Sequence, residues 1–126
     1  MQMTTYQDFG SYLRYLRENH NPMITQEKLG ELVGKKKMTI SLIENGKNAP
    51  PKDEFLQKLV EVLNLDEDQK IKLFDLAAIA RGAVPEDIVD YFNEHQGLRN
   101  AIREARRKKL PNSFWEKITK EEIDVQ

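Results

Sequence analysis

The stretch of residues 25–47 constrains the fold of this chain more than any other. It contains two pairs of apolar residues at helical spacing, Leu29 with Val33 and Ile40 with Ile43. Side chains three or four residues apart lie on the same face of a helix, so each pair can form one buried stripe. The stretch therefore predicts two short helices that pack on a common core.

Polar and glycine residues indicate where these two helices begin and end. Thr25 is a suitable N-cap for the first helix, and Gly34, between the apolar pairs, suits a left-handed turn. Gly46 would end the second helix. Two short helices joined by a tight turn form a helix-turn-helix, whose second helix enters the major groove of DNA. An αα-hairpin without a DNA-binding role would give the same pattern.

The second half of this stretch resembles a known family. Residues 40–47 read Ile-Ser-Leu-Ile-Glu-Asn-Gly-Lys. Together with the preceding Thr-Gln pair and Gly34, they resemble the phage-repressor (Cro/C1, XRE-type) helix-turn-helix family. The chain departs from the family pattern at two positions. Lys35 stands where an apolar residue is usual, and Lys36 stands where a small hydroxyl-bearing cap residue is common. The stem of Lys35 can still cover the edge of a core while its ammonium stays in water.

Helical periodicity predicts an all-α fold for the whole chain. Five helices are expected before residue 81: residues 6–17, the two halves of the stretch above, 53–64 and 67–80. Pro51 is placed to begin the fourth helix and Asp66 to cap the fifth, which should bury Ile71. Five helices match the size of the resembling domain, so we expect a five-helix repressor-like helix-turn-helix domain at residues 1–80.

The remaining residues, 83–126, are expected to form a C-terminal helical extension for dimerisation or partner binding. Helices are predicted at 86–94 and 98–110, with Gly97 as the break between them. A last helix should follow Pro111, capped by Asn112 or Ser113. The apolar residues expected inside the first and last of these helices are Ile88, Val89, Tyr91, Phe92, Phe114, Trp115, Ile118 and Ile123.

Charge is distributed unevenly along the chain. The net charge is only −1, which by itself would argue against a nucleic-acid partner. However, residues 34–52 carry five lysines against one acid, whereas residues 53–96 hold eleven acids and four bases. Residues 97–110 are again basic. Local basic patches, rather than the chain average, decide contact with phosphates, so double-stranded DNA is compatible with this composition as a partner.

Other global features exclude several classes. The chain has no cysteine, which rules out disulfides and cysteine-based zinc sites. No apolar run approaches the ~20 residues needed to cross a bilayer, and the N-terminus lacks a secretory pattern. We therefore expect a cytoplasmic protein that does not partner a membrane.

The resemblance also implies roles for individual residues in a recognition helix at about 36–44. Lys37, Met38 and Leu42 would face base edges; Lys37 can donate to guanine, whereas Met38 and Leu42 offer only apolar contact. Because two of these three side chains are apolar, we expect the preference for a DNA sequence to depend partly on the shape of the DNA. Inward packing of Met38 or Leu42 is the alternative. The residues expected to contact phosphates are Gln26, Lys36, Asn45 and Lys47.

One pair is expected to have a structural role. By resemblance, Arg17 and Glu44 form a buried ion pair that links the first helix to the end of the recognition helix. No nucleophile–base spacing, glycine-rich phosphate loop or metal-ligand spacing is present, so we expect neither an enzyme nor a cofactor or metal. Asp66 and its acidic neighbours fit a helix start better than a catalytic pair.

These observations predict a sequence-specific DNA-binding transcriptional regulator, most simply a repressor that binds operator DNA as a homodimer. Such proteins span two half-sites about one helical turn apart. The candidate anchors of the dimer or partner interface are Tyr91, Phe92, Phe114, Trp115 and Ile118, although the same residues would equally complete a monomer core. The alternative function is an antitoxin of the HigA kind, which neutralises a partner toxin and represses its own operon.

Overall fold

The computed structural model describes residues 5–121, and within this range every regular element is helical. The helices are α1 (Thr5–Glu18), α2 (Gln26–Val33), α3 (Lys37–Glu44), α4 (Asp53–Val62), α5 (Glu67–Arg81), α6 (Val89–Glu94), α7 (Gln96–Arg107) and α8 (Asn112–Lys120). The all-α prediction is confirmed. No helix in the described range is long and apolar enough to cross a membrane. The predicted position of Ile123 lies outside the described residues.

The chain divides into two compact units, Met1–Val89 and Asp90–Gln126. Residues 83–89 therefore belong with the first unit, whereas the sequence placed them in the extension. One link is a hydrogen bond of 2.6 Å from the backbone N–H of Asp53 to the Glu86 carboxylate. This bond satisfies one of the free N–H groups at the start of α4.

The core of the first unit is formed by apolar stripes from all five of its long helices. From α1 the residues Phe9, Leu13 and Leu16 are buried, at the i, i+4, i+7 spacing of one helix face. They pack with the two apolar pairs of α2 and α3 and with leucines of α4 and α5. α1 packs against both α3 and α5, so it connects the second helix of the helix-turn-helix to the last helix of the unit.

The ends of α4 and α5 confirm one capping prediction and correct another. Asp66 caps α5 in a reciprocal capping box with Gln69. α4, in contrast, begins at Asp53 with Lys52 in the N-cap position, so Pro51 does not begin this helix. Pro51 is instead buried. Of the α5 residues expected in the core, Leu73 and Phe74 are buried, whereas Ile71 is 42% exposed.

Four sequence predictions for the second half of the chain are wrong in detail. α6 begins at Val89, because residues 86–88 form a turn closed by a hydrogen bond from Ile88 N–H to the Pro85 carbonyl. Gly97 lies inside the first turn of α7, and the break falls at His95. Pro111 occupies the N-cap position of α8, so Asn112 is already helical. Ile88 and Tyr91, which were expected inside, are exposed.

Candidate nucleic-acid interface

The helix-turn-helix is built by local hydrogen bonds that the sequence pattern predicted. The Thr25 hydroxyl accepts a hydrogen bond of 3.0 Å from the N–H of Lys28 and caps α2. α2 ends at Gly34, whose φ of 72° is left-handed. The following N–H, that of Lys35, donates to the Gly30 carbonyl at 2.7 Å. A Cβ at Gly30 would lie 2.6 Å from the Lys35 carbonyl oxygen, so the turn requires glycine there.

α3 buries one face and presents the other to solvent. Ile40 and Ile43 are buried in the core. On the opposite side Lys37 is exposed and Met38 is 65% exposed, while Leu42 is half-buried. The alternative of inward packing is therefore excluded for Met38, and Leu42 offers a smaller surface. Lys36 precedes α3 in extended conformation and is exposed, so its ammonium is available at the start of the helix.

The far end of α3 is held by a buried carboxylate. Glu44 is 3% exposed and Arg17 is 7% exposed. The Arg17 guanidinium donates to both carboxylate oxygens, from Nε to Oε2 at 2.7 Å and from Nη2 to Oε1 at 2.9 Å. The two side chains thus form a bidentate ion pair between α1 and α3. This geometry is the strongest that an arginine and a carboxylate can adopt.

Two further donors complete the environment of Glu44. Gln26 donates from Nε2 at 3.0 Å, and Arg14 donates from Nε at 3.3 Å, both to Oε1. Burial alone would raise the pKa of Glu44, but the hydrogen bonds from Arg17, Gln26 and Arg14 outweigh it and lower the pKa below its usual value. The hydrogen bond to Glu44 correspondingly raises the pKa of Arg17. The Glu44 side chain is therefore ionised in the folded chain at neutral pH.

Arg17 also fixes the chain that leads into α2. Its Nη1 donates to the Ile24 carbonyl at 2.9 Å, and this carbonyl directly precedes the cap residue Thr25. One guanidinium therefore joins three parts of the motif: α1, the end of α3 and the entry to α2. The N-terminus of α2 and the outward face of α3 are consequently held in a fixed relation, as recognition of a regular duplex requires.

The expected phosphate-contacting residues differ in how free their side chains are. Lys36 and Lys47 are exposed and form no ion pair with another described residue. The Gln26 side chain is half-buried and bound to Glu44, which leaves the backbone N–H groups at the start of α2 as the local donors. Asn45 is exposed, and its side-chain oxygen accepts a hydrogen bond of 2.9 Å from Arg14 Nη2.

Arg14 is a residue of this site that the sequence analysis missed. It bridges Glu44 and Asn45 at the end of α3 while its side chain stays 44% exposed. A signal was present, since Arg14 and Arg17 are three residues apart on α1 and lie on neighbouring positions of one helix face. Arg14 adds a cation beside Asn45 at the C-terminal end of α3.

Asp66 and the two histidines have local structural roles. Asp66 is the cap of α5. His20 contacts the Pro22 carbonyl through Nδ1, and His95 contacts the Tyr91 carbonyl while stacking on the Tyr91 ring. Within the described residues, no group of three or more histidine, aspartate or glutamate side chains could hold a metal ion.

Of the expected interface residues, Phe114 and Trp115 are in edge-to-face contact on α8. Tyr91 and Phe114 are exposed, whereas Phe92, Trp115 and Ile118 are half-buried. They all lie in the second unit. These side chains are not enclosed in the core of the described chain, so they are accessible for an interface.

This geometry defines a helix-turn-helix domain, and a comparison with known families agrees. Residues 13–70 match the family model described as "Helix-turn-helix". Over these residues the chain is similar to the Cro/C1-type, XRE family of DNA-binding transcription regulators. The match runs from the middle of α1 to the first turn of α5. Neither the curated proteins nor the solved structures that were searched contain a significant match.

Proposed function

We propose that this protein is a sequence-specific transcriptional repressor that places α3 in the major groove of operator DNA. The observation that carries the proposal is the division of α3 into two faces. Glu44 and the two isoleucines fix the helix to the core, while Lys37 and Met38 at its leading end contact nothing that would bury them. An exposed, cationic leading turn on a rigidly held helix is the arrangement that the motif uses to reach base edges.

The proposed base-reading residues are Lys37, Met38 and Leu42. Lys37 would donate to the O6 and N7 atoms of guanine, and Met38 would contact a thymine methyl group. Leu42, half-buried, would contribute a smaller apolar contact. With a single charged donor among the three, direct readout is limited, so the sequence-dependent shape of the operator would supply part of the specificity.

The proposed phosphate contacts lie on both sides of this reading face. Lys36 precedes α3, and Asn45 and Lys47 follow it. Gln26 would contribute the free N–H groups at the start of α2, where the helix dipole also favours an anion. Arg14 would add a charge beside Asn45. These contacts would set the position of the domain on the duplex without reading sequence.

We further propose that the protein acts as a homodimer. One helix-turn-helix reads few base pairs, and two-fold related copies would bind half-sites about 34 Å apart. The second unit would supply the interface through Tyr91, Phe92, Phe114, Trp115 and Ile118, the apolar side chains that remain accessible there. Occupancy of such an operator would block transcription.

The second candidate is an antitoxin that represses its own operon and binds a toxin through the second unit. The exposed apolar residues of that unit favour a protein partner of some kind. Co-purification with the product of a neighbouring gene would favour the antitoxin, whereas operator binding by the purified dimer alone favours the repressor.

A titration against the DNA upstream of its own coding sequence tests the proposed function. We expect the affinity to fall steeply between about 50 and 200 mM salt, as for any protein that releases counterions from phosphates. Lys37→Ala should weaken specific binding by about 1–3 kcal/mol and relax the preference at one base pair. Lys58→Ala, an exposed lysine of α4, is the matched control. Affinity that is independent of salt, or an unchanged preference in Lys37→Ala, would contradict the proposal.

A further inference from the structure

α5 presents an apolar stripe to solvent. Ile71 is 42% exposed and Ile79 is 61% exposed. They are eight residues apart, with Asp75 midway between them and Asp68 one turn before, so all four side chains lie on one face of the helix. At 1.5 Å per residue the two isoleucines are about 12 Å apart along the axis. Exposed isoleucines that alternate with acids form a short amphipathic surface without a partner in its own unit.

The acids of this surface form no ion pair, because the neighbouring Lys72 places its ammonium 4.6 Å from the centroid of the Tyr12 ring. Asp68, Asp75 and the nearby Asp87 form no ion pair with any residue between 5 and 121. Burial, and secondly the charge of Asp87, raise the pKa of Asp75 above its usual value. A cation brought to this position would relieve the unfavourable interaction between the two carboxylates.

The second unit contains an apolar groove between α7 and α8. The groove is lined by Leu98, Ile102, Ala105, Arg106, Leu110 and Trp115. The first three follow the i, i+4, i+7 spacing of one face of α7 and span about 10 Å. Among the described residues of this unit only Ala105 is buried. A unit of this size that buries so little apolar surface gains stability when another surface fills the groove.

The border of the groove carries positive charge without acidic partners. Arg103 and Arg106 form no ion pair with any residue of the described range, although Arg107 and Lys108 both pair with Glu104. Arg106 lines the groove itself. The groove is therefore complementary in charge to an acidic apolar surface and unfavourable for a basic one.

We propose that the α5 surface of one copy, formed by Asp68, Ile71, Asp75 and Ile79, packs into the α7–α8 groove of a second copy. This inference rests on the proposed homodimer and revises its interface: of the five candidate interface residues only Trp115 lines the groove, and α5 of the first unit supplies the opposite surface. Each chain carries both surfaces, so a two-fold axis would make the contact twice, as a closed symmetric pair requires. Ile71 and Ile79 would occupy the groove as helix anchors, in a helix-in-groove mode of recognition. Asp75 would pair with Arg106.

The charges distinguish this arrangement from contact between two identical grooves. A groove-to-groove dimer would bring the unpaired arginines of both copies together, and like charges across an interface cost several kcal/mol. Packing of α5 into the groove instead brings unpaired acids to unpaired bases. The spans of about 12 Å and 10 Å along the two helices also match.

Complementing charge reversals test the interface directly. In a dimer of Asp75→Arg alone, the new arginine of each copy would face Arg106 of the other. In a dimer of Arg106→Glu alone, the new glutamate of each copy would face Asp75 of the other. We expect each variant by itself to self-associate about 100-fold more weakly than the wild type, since both symmetric contacts are affected. In a 1:1 mixture, both contacts of the mixed dimer pair opposite charges. We therefore expect the mixture to regain a dimer mass by light scattering and sedimentation equilibrium.

The controls are charge reversals at exposed positions outside the two proposed surfaces. Glu61→Arg on α4 and Lys120→Glu on α8 make the same reversals at exposed positions outside both surfaces, and should leave self-association unchanged. Wild-type-like association of either single variant, or failure of the mixture to form dimers while the single variants remain folded, would overturn the proposal. Mass is measured without DNA, so this result is independent of operator binding, and a failure of DNA binding would leave it unaffected.

Discussion

Glu44 illustrates how a single residue connects stability with function in this protein. Its carboxylate is held by donors from α1 and α2 and stands at the end of the helix proposed to read DNA. A buried ion pair adds little net stability compared with an apolar pair, but the loss of one partner leaves the other charge buried and uncompensated. The residue therefore fixes a geometry rather than simply strengthening the core.

Glu44→Gln should lower the free energy of unfolding by about 3–5 kcal/mol, because Arg17 then remains buried without a counter-charge. Denaturant unfolding followed by circular dichroism measures this change. Glu31→Gln, which removes an exposed pair with Lys28, is the control and should cost less than about 1 kcal/mol. A loss below 1 kcal/mol in Glu44→Gln would show that the pair is not structurally important.

The same residue predicts how stability depends on pH. The pKa of Glu44 is lower in the folded than in the unfolded chain, so its contribution is fully present above the unfolded value of about 4.3. As the pH falls from there towards the folded pKa, the unfolded state binds more protons and stability is lost. The difference in unfolding free energy between the wild type and Glu44→Gln should therefore shrink between pH 5 and pH 3. A difference that stays constant over this range would contradict this explanation.

At the scale of elements, the crossing of α1 and α3 determines where the recognition helix lies. α1 approaches the end of α3 at Gly10, where an added Cβ would overlap the carbonyl oxygens of Ile43 and Glu44. These are backbone atoms, so they cannot rotate away. The two helices are close enough for the Arg17–Glu44 pair only because residue 10 has no side chain.

Gly10→Ala should destabilise the protein by about 3 kcal/mol through overpacking at this crossing. It should also weaken DNA binding, because α3 must move away from α1 and carries Lys37 with it. Thermal unfolding and a DNA titration measure the two effects. Ser11→Ala, at the neighbouring exposed position, should change stability by no more than about 0.5 kcal/mol. Wild-type stability of Gly10→Ala would show that the crossing is looser than the structure indicates.

The elements also show what the sequence can and cannot predict. The helix-turn-helix was predictable because its apolar pairs, Thr25 cap and left-handed Gly34 are all local signals. The exposed face of α5 was not, since apolar residues occur around most of that helix and no single stripe stands out; Ile71 was consequently assigned to the core. Gly97 was taken for a helix break although a first turn tolerates glycine.

The contacts of the candidate site that the sequence did not predict were missed for a different reason. The sequence supplied Arg17 and Glu44 through a family resemblance, not through spacing. Arg14 was missed because its partners, Glu44 and Asn45, are thirty and thirty-one residues away; its spacing from Arg17 places both arginines on one face of α1 but does not indicate these contacts. The same holds for the bond of Gln26 to Glu44, which engages the Gln26 side chain in an internal hydrogen bond. Long-range polar contacts of this kind depend on the completed fold.

At the scale of the whole molecule, the distribution of charge matters more than its sum. A net charge of −1 conceals basic residues around the start of α3, two acids without ion pairs on the exposed face of α5, and a basic α7. The proposed functions of the two units follow this distribution: the first would bind DNA through α3, and the second would bind the exposed face of α5 of another copy. Both contacts depend on charge, so the affinity for DNA and the strength of self-association should each fall as salt is raised.

Photo-crosslinking from position 38 tests the central claim, that the exposed face of α3 lies in the major groove. Met38 is 65% exposed, so a benzoylphenylalanine in its place should not disturb the fold. We expect irradiation of the bound complex to link this residue to operator bases, and the same substitution at Glu61 of α4 to give no DNA adduct. DNA binding that persists without any adduct from position 38, or with adducts from position 61 instead, would contradict the account.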